Sequence, residues 1–320
     1  MSAIRKVFWN PEERRVRALW RLLLHLVALA LIGVATSMVL GSLIASILGV
    51  QQLPSVAVAL ITASSIAGAS WLCARVLDER PFAALGFHLD ARWFIDAGAG
   101  AALGLILMAG IFGVELAAGW VEIEGRFVPG EDAGQPFALA LALAALMFVL
   151  VGFYEELFSR GYQLRNLAEG LRGGPLGPGA ALAVATLLSS TIFGLAHANN
   201  DGATTLSTIN VALAGCMLAV TPLLTGELGF AVGLHASWNF CQGNVFGFPV
   251  SGTDPGPRVL ALRQAGDPLL TGGDFGPEAG LLGVAAMILG AGLSVLWVRL
   301  SRGELRWHEA WTRPSPRETS

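Results

Sequence analysis

Three short clusters of polar residues, each set in apolar sequence, carry the chemistry this chain could perform. The first is Glu155, Glu156 and Arg160 in YEELFSR; the second is Phe193 and His197 in FGLAH; the third is His235 and Asn239 in HASWN. Glu156 and Arg160 stand four apart, one helical turn, in the Glu-before-Arg order that supports an ion pair. Glu155 points about 100° away from Glu156 and is free to face a cavity. Phe193 precedes His197 by one turn, where an aromatic ring can wall the imidazole's pocket and restrict its rotamers. His235 and Asn239 project from one face and can converge on one ligand. A carboxylate, two imidazoles and a carboxamide are the donors and acceptors needed to activate a water and hold a developing oxyanion.

These residues sit in segments that read as membrane-embedded, where a charged side chain at a helix centre costs roughly 2.5 to 3.5 kcal/mol. A lone histidine or a lone Glu/Arg pair in such a place is as often a packing feature as a working one. Three independent buried polar costs in one bundle point to function. The chain has 320 residues, 54% hydrophobic and 13% charged, with mean hydropathy +0.63, which places it outside soluble composition. The fold expected is all-α, a polytopic transmembrane bundle. About eight runs are long enough to cross a ~30 Å hydrocarbon core: 22–48, 55–76, 95–120, 136–157, 180–200, 204–223, 228–247 and 279–299. The organisation expected is a cytoplasmic interfacial segment over 1–21, the bundle over 22–300 and a cytoplasmic tail over 301–320.

Charge placement orients the bundle. Arg5, Lys6, Arg14, Arg15, Arg17 and Arg21 precede the first span; Arg75, Arg80 and Arg92 lie between the second and third; Arg160, Arg165 and Arg172 follow the fourth; Arg299, Arg302, Arg306, Arg313 and Arg317 close the chain. The connection after the third span carries Glu122, Glu124, Glu131 and Asp132 against Arg126 alone. Both termini are therefore expected in the cytoplasm. The first apolar run is too long, and starts too far from Met1, for a cleaved signal peptide. Trp9, Trp20 and the neighbouring cations suit an interfacial helix on the anionic leaflet. His25 reads as interfacial or packed, His88 as solvated. Cys73, Cys216 and Cys241 sit singly, without metal or disulfide spacing. Gly98, Gly100 and Gly104, with Gly229 and Gly233, are small-residue stripes for close helix approach, within the chain rather than between copies. Residues 248–277 form an external loop without periodicity, either a cap on the bundle or a mobile segment. No nucleic-acid motif is present, and oligomeric state is not legible.

The three clusters match E-E-x-x-x-R, F-x-x-x-H and H-x-x-x-N, in that order and on apolar spans. Over about residues 136–247 the chain thus resembles the CPBP intramembrane proteases, also called the Abi family, which include CAAX prenyl endopeptidases and proteins of bacteriocin processing and self-immunity. The resemblance implies hydrolysis of a peptide bond of a membrane-associated peptide or protein, in contact with lipid, in a bacterial cytoplasmic membrane. The residues permit two routes. In one, Glu155 is the general base, His197 holds the water, His235 and Asn239 donate to the oxyanion, and Glu156 with Arg160 orients the helix. In the other, His197 and His235 with Glu155 or Glu156 bind a divalent metal such as zinc. A non-catalytic scaffold or immunity factor using the same pocket for binding is the alternative; a transporter is disfavoured by the lack of an internal repeat. One tension accompanies these expectations. Were every helix straight and started at the boundary, His197 and Glu155 would lie at levels differing by roughly 15 Å, unless the NNDG turn after His197 is recessed into the bundle.

Overall fold

The computed structural model describes residues 7–11, 13–130, 135–172, 176–254, 256–308 and 311. The all-α bundle expected from composition is what forms. Its helices are α1 (Ala18–Leu48), α2 (Ser55–Val76), α3 (Ala91–Ala117), α4 (Phe137–Arg172), α5 (Pro178–Ala196), α6 (Thr205–Thr225), α7 (Gly229–Phe240) and α8 (Leu281–Arg302). Seven of these, among the described residues, are long and apolar enough to cross a membrane. The seventh apolar run, 228–247, instead yields α7, a helix of 12 residues, about 18 Å by its rise, too short to span. It is buried over Gly229–Ala236 and at Trp238, and forms the centre of the bundle.

Small residues are what allow that burial. A Cβ at Gly100 or Gly104 of α3 would collide with Phe230 or Ser237 of α7, and one at Gly233 with the Ala97 carbonyl. The two glycine stripes thus face each other within one chain, although Gly98 looks into open space. On the other side α5 and α6 form a tight antiparallel hairpin, closed where Gly194 meets Thr208 and Gly215 meets Ser190. α6 starts at Thr205, where an uncapped helix end would leave orphan N–H groups. A capping box supplies them: Thr204 Oγ1 accepts from Ser207 N at 3.0 Å and Ser207 Oγ from Thr204 N at 2.7 Å.

The start of α1 and the end of α8 lie at one face. Arg21 pairs with Asp78 just beyond α2 at 2.6 Å, and Arg302 with Asp96 near the start of α3 at 2.5 Å. The opposite face carries a two-stranded antiparallel sheet, β1 (Val121–Val128) with β2 (Arg258–Gln264), in register Val121 with Gln264 and Val128 with Arg258.

Several surface expectations change. The segment read as a mobile loop or a cap is a cap with its own structure: it contains β2 and buries Phe248, Val250, Phe275 and Ala279. Strand pairing between segments over a hundred residues apart leaves no local signal. Arg15 and Arg21 do not lie on a leaflet. They are buried, with Arg80, around Glu169, while Arg5 and Lys6 fall outside the described residues. His25 is packed, its Nε2 3.1 Å from Ser70 Oγ and its ring stacked on Tyr162. His88 is half-exposed but paired with Glu227 at 2.5 Å.

Candidate active site

The tension over depth disappears because α4 does not end near residue 157. It continues through a wider π-type stretch, Leu157–Leu164, to Arg172, and turns only there. Glu155 is therefore mid-helix, roughly 25 Å above the Arg172 end. α5 climbs from Pro178 at that same end, and His197 caps it roughly 28 Å up, at the level of Glu155. The NNDG turn meets the cap, Asn200 Nδ2 donating to Ser251 O at 2.8 Å, but is not recessed: Asn199, Asp201 and Gly202 are exposed. His235 reaches the same level from within α7.

The structure brings all seven residues together. Glu155 Oε2 lies 3.7 Å from His235 Nε2 and 4.0 Å from His197 Nε2. It is buried yet has no hydrogen-bond partner among the described residues. Both imidazoles are fixed from behind. His197 Nδ1 is 2.8 Å from the Phe193 carbonyl, and His235 Nδ1 is 2.8 Å from Glu156 Oε1. A carbonyl only accepts, so His197 carries a proton on Nδ1 and turns Nε2 towards Glu155. His235 backs onto a carboxylate, which also supports the doubly protonated ring. Glu156 Oε1 accepts from Arg160 Nη1 at 2.8 Å as well, and Arg160 Nη2 donates to Gly215 O at 3.0 Å. The i, i+4 pair read from the sequence is there. What the sequence did not show is that Glu156 ties α4 to α7 through His235. Phe193 lies under the Arg160 guanidinium, 4.4 Å from Cζ to ring centroid, and its ring is 5.0 Å from that of His197 and 6.0 Å from that of His235.

Glu155, His197, His235 and Asn239 line one cavity of about 290 Å³. Asn239 is half-buried, and its carboxamide has no hydrogen bond among the described residues, so its donors are free for a ligand. The remaining wall is apolar, with Met147, Phe148, Leu218 and Trp238, and the roof holds Ser251, Thr253, Asp254 and Glu278. Glu278 was not among the candidates. It is a buried acid whose Oε1 accepts from Ser251 N at 2.6 Å, and whose Oε2 accepts from Gln242 Nε2. Burial pushes its carboxyl up to about 7. A solitary acid just before an apolar run was the only available sign of it.

The metal route, one of the two the residues permit, is not shown by the arrangement. Among the described residues no group of three or more His, Cys, Asp and Glu side chains is set to hold a metal ion. The fourth polar group, the Asn239 carboxamide, suits hydrogen bonding better than zinc.

A family model described as Type II CAAX prenyl endopeptidase Rce1-like matches residues 137–241. That segment holds all three polar clusters, so the likeness to the CAAX and CPBP intramembrane proteases stands on the whole matched region and not on the motifs alone. The match supports an integral membrane endopeptidase of the CAAX type, with a peptide or protein substrate. No curated protein and no solved structure matches the chain.

Proposed function

We propose that Glu155 is the general base of this endopeptidase, acting on a water held between it and the two imidazoles. The observation that carries this is the unpartnered Glu155 Oε2, facing both Nε2 atoms at distances too long for a direct hydrogen bond. A water beside the three groups, in the cavity they line, would be within reach of all of them. His197, with Nδ1 donating to the Phe193 carbonyl, accepts a hydrogen bond from one water O–H at Nε2 and orients the oxygen lone pair. Glu155 takes the other proton as the water oxygen bonds to the scissile carbonyl carbon. Protonated Glu155 then gives that proton to the amide nitrogen, the C–N bond breaks, and a carboxylic acid and an amine leave.

His235 takes the other imidazole role. With Nδ1 donating to the Glu156 carboxylate, its ring can hold a second proton on Nε2 and donate to the oxyanion beside the Asn239 amide. Each such donor is worth roughly 3 to 4 kcal/mol at a well-ordered site. The charges then balance: Glu155 and Glu156 negative, Arg160 and His235 positive. Phe193, which also lines the cavity, and Arg160 position these groups. The charge distribution favours both termini in the cytoplasm, and the family likeness favours a bacterial cytoplasmic membrane.

The test is genetic. New carboxyl termini in the membrane proteome are mapped in cells carrying the wild-type chain, Glu155→Ala or no copy. Fragments present with wild type and missing from the other two are expected. Identical fragments from wild type and Glu155→Ala, absent without the chain, would defeat the proposal, and no difference among all three would favour a binding scaffold.

A further inference from the structure

The two sides of the site differ in how they are closed. Towards the termini, α4 packs solidly below Glu155: Leu157, Arg160, Tyr162 and Leu164 have at most 1% of their surface exposed. Ser189 stitches α5 to that stretch through the Ser159 carbonyl at 3.0 Å. Towards the opposite face there is no helical wall on the α5–α6 side, because both helices end at the level of the site. The cavity there is bounded by Ser251, Thr253 and Asp254 of the cap, and Thr253 and Asp254 are exposed. Asp254 pairs with Arg258 at the start of β2, which belongs to the sheet at that face. The cavity therefore runs from Glu155 to solvent or interface beside the cap.

Charge says which side this is. Arg15, Arg17, Arg21, Arg75, Arg80, Arg92, Arg299, Arg302 and Arg306 lie at or near the face of the termini, against Arg126, Arg258 and Arg263 on the sheet. That excess of cations marks the cytoplasmic side.

We propose that substrate reaches Glu155 from the face opposite the termini, which is the extracytoplasmic face. The substrate is then an apolar, extended segment of a membrane-associated peptide or protein presented from outside the cytoplasm. Its side chains would lie along the Met147, Phe148 and Trp238 wall, and its scissile carbonyl would reach the two imidazoles. This rests on the endopeptidase reading for its substrate class, but the route itself is a matter of access.

The route is tested by thiol labelling. Cys73, Cys216 and Cys241 form no disulfide, so all three are replaced by Ala and single cysteines are introduced as Thr253→Cys at the mouth and Glu155→Cys at the site. Glu124→Cys, on β1, and Arg306→Cys, beyond α8, mark the two faces. A small membrane-impermeant thiosulfonate is applied to intact cells and to inverted vesicles. Thr253→Cys, Glu155→Cys and Glu124→Cys are expected to label in intact cells, and Arg306→Cys only in inverted vesicles. Adding Thr253→Trp should abolish labelling of Glu155→Cys. Labelling of Thr253→Cys or Glu155→Cys only from the side that labels Arg306→Cys would overturn the proposal, as would label at Glu155→Cys undiminished by Thr253→Trp. Labelling does not require turnover, so an inactive protein with an outward-facing mouth would sink the enzymatic reading and leave the route standing.

Discussion

Glu155 and Glu169 stand on the same helix, roughly 21 Å apart along it, and are treated in opposite ways. Both Glu169 oxygens are engaged: Oε1 by Arg80 at 2.5 Å, Oε2 by Arg15 at 2.9 Å and Arg21 at 3.0 Å. Glu155 Oε2 has no hydrogen-bond partner among the described residues and looks at two imidazoles from beyond hydrogen-bond range. A buried carboxylate ringed by guanidiniums has no capacity left for a proton or a ligand. One left short of partners is poised to take a proton. The same residue type therefore serves as a fastening at one end of α4 and as a candidate base in its middle, and partner count separates the two.

The comparison breaks most sharply at Glu155. Glu155→Gln should lower the cleavage rate by a factor of about 10² to 10⁴, the range for a positioned general base, with the melting temperature in detergent changed far less than by loss of Glu169, because Glu155 Oε2 makes no hydrogen bond among the described residues and only a looser pairing with His235 at 3.7 Å. A large drop in melting temperature would make Glu155 a second Glu169. For Glu169→Ala the expectation is reversed: the change strips Arg80 of its carboxylate and leaves Arg15 and Arg21 only Glu13 and Asp78, and should destabilise the fold by about 3 to 5 kcal/mol, while the fraction that folds keeps its turnover. Thermal unfolding and activity per folded molecule check both.

Glu278 sharpens the contrast through pH. Its carboxyl, raised by burial to about 7 from an ordinary 4.5, binds a proton more tightly folded than unfolded. Its contribution is fully present below about 4.5 and is lost as pH rises through about 7, a change of about 3 kcal/mol at most. Glu278→Gln should flatten stability against pH in that window. An unchanged pH profile would show that the cap does not depend on this proton. The smallest effect is expected at Glu156, which shares both behaviours: one oxygen holds Arg160 and His235, the other has no partner among the described residues. As a group acting through His235, Glu156→Gln should reduce kcat about 10- to 100-fold with KM little altered. A change confined to KM would instead place Glu156 in substrate binding.

Much of the site was legible because helix periodicity is local. Spacing of four placed Glu156 with Arg160, Phe193 with His197 and His235 with Asn239, and the cost of burying charge singled them out. The length of α4 was not legible, because Ser159–Arg172 is polar enough to pass for a surface connector. Its polar groups are buried against Arg15, Asp78 and Arg80, which lie far away in sequence. The half-length α7 was hidden for the opposite reason. A helix wrapped by neighbours is apolar all round, like one wrapped by lipid. Pairing of β1 with β2, the Glu156–His235 bond and the place of Glu278 in the roof are contacts between distant segments, which no window of sequence contains.

The most direct measurement follows the water. Purified protein in detergent is incubated with membrane peptides in H₂¹⁸O, and new carboxyl termini are read by mass spectrometry for wild type and Glu155→Gln. One ¹⁸O atom in each new terminus with wild type, and no such termini above background with Glu155→Gln, is the predicted result. The same labelled termini at the same rate from both proteins would contradict the assignment of Glu155 as the base.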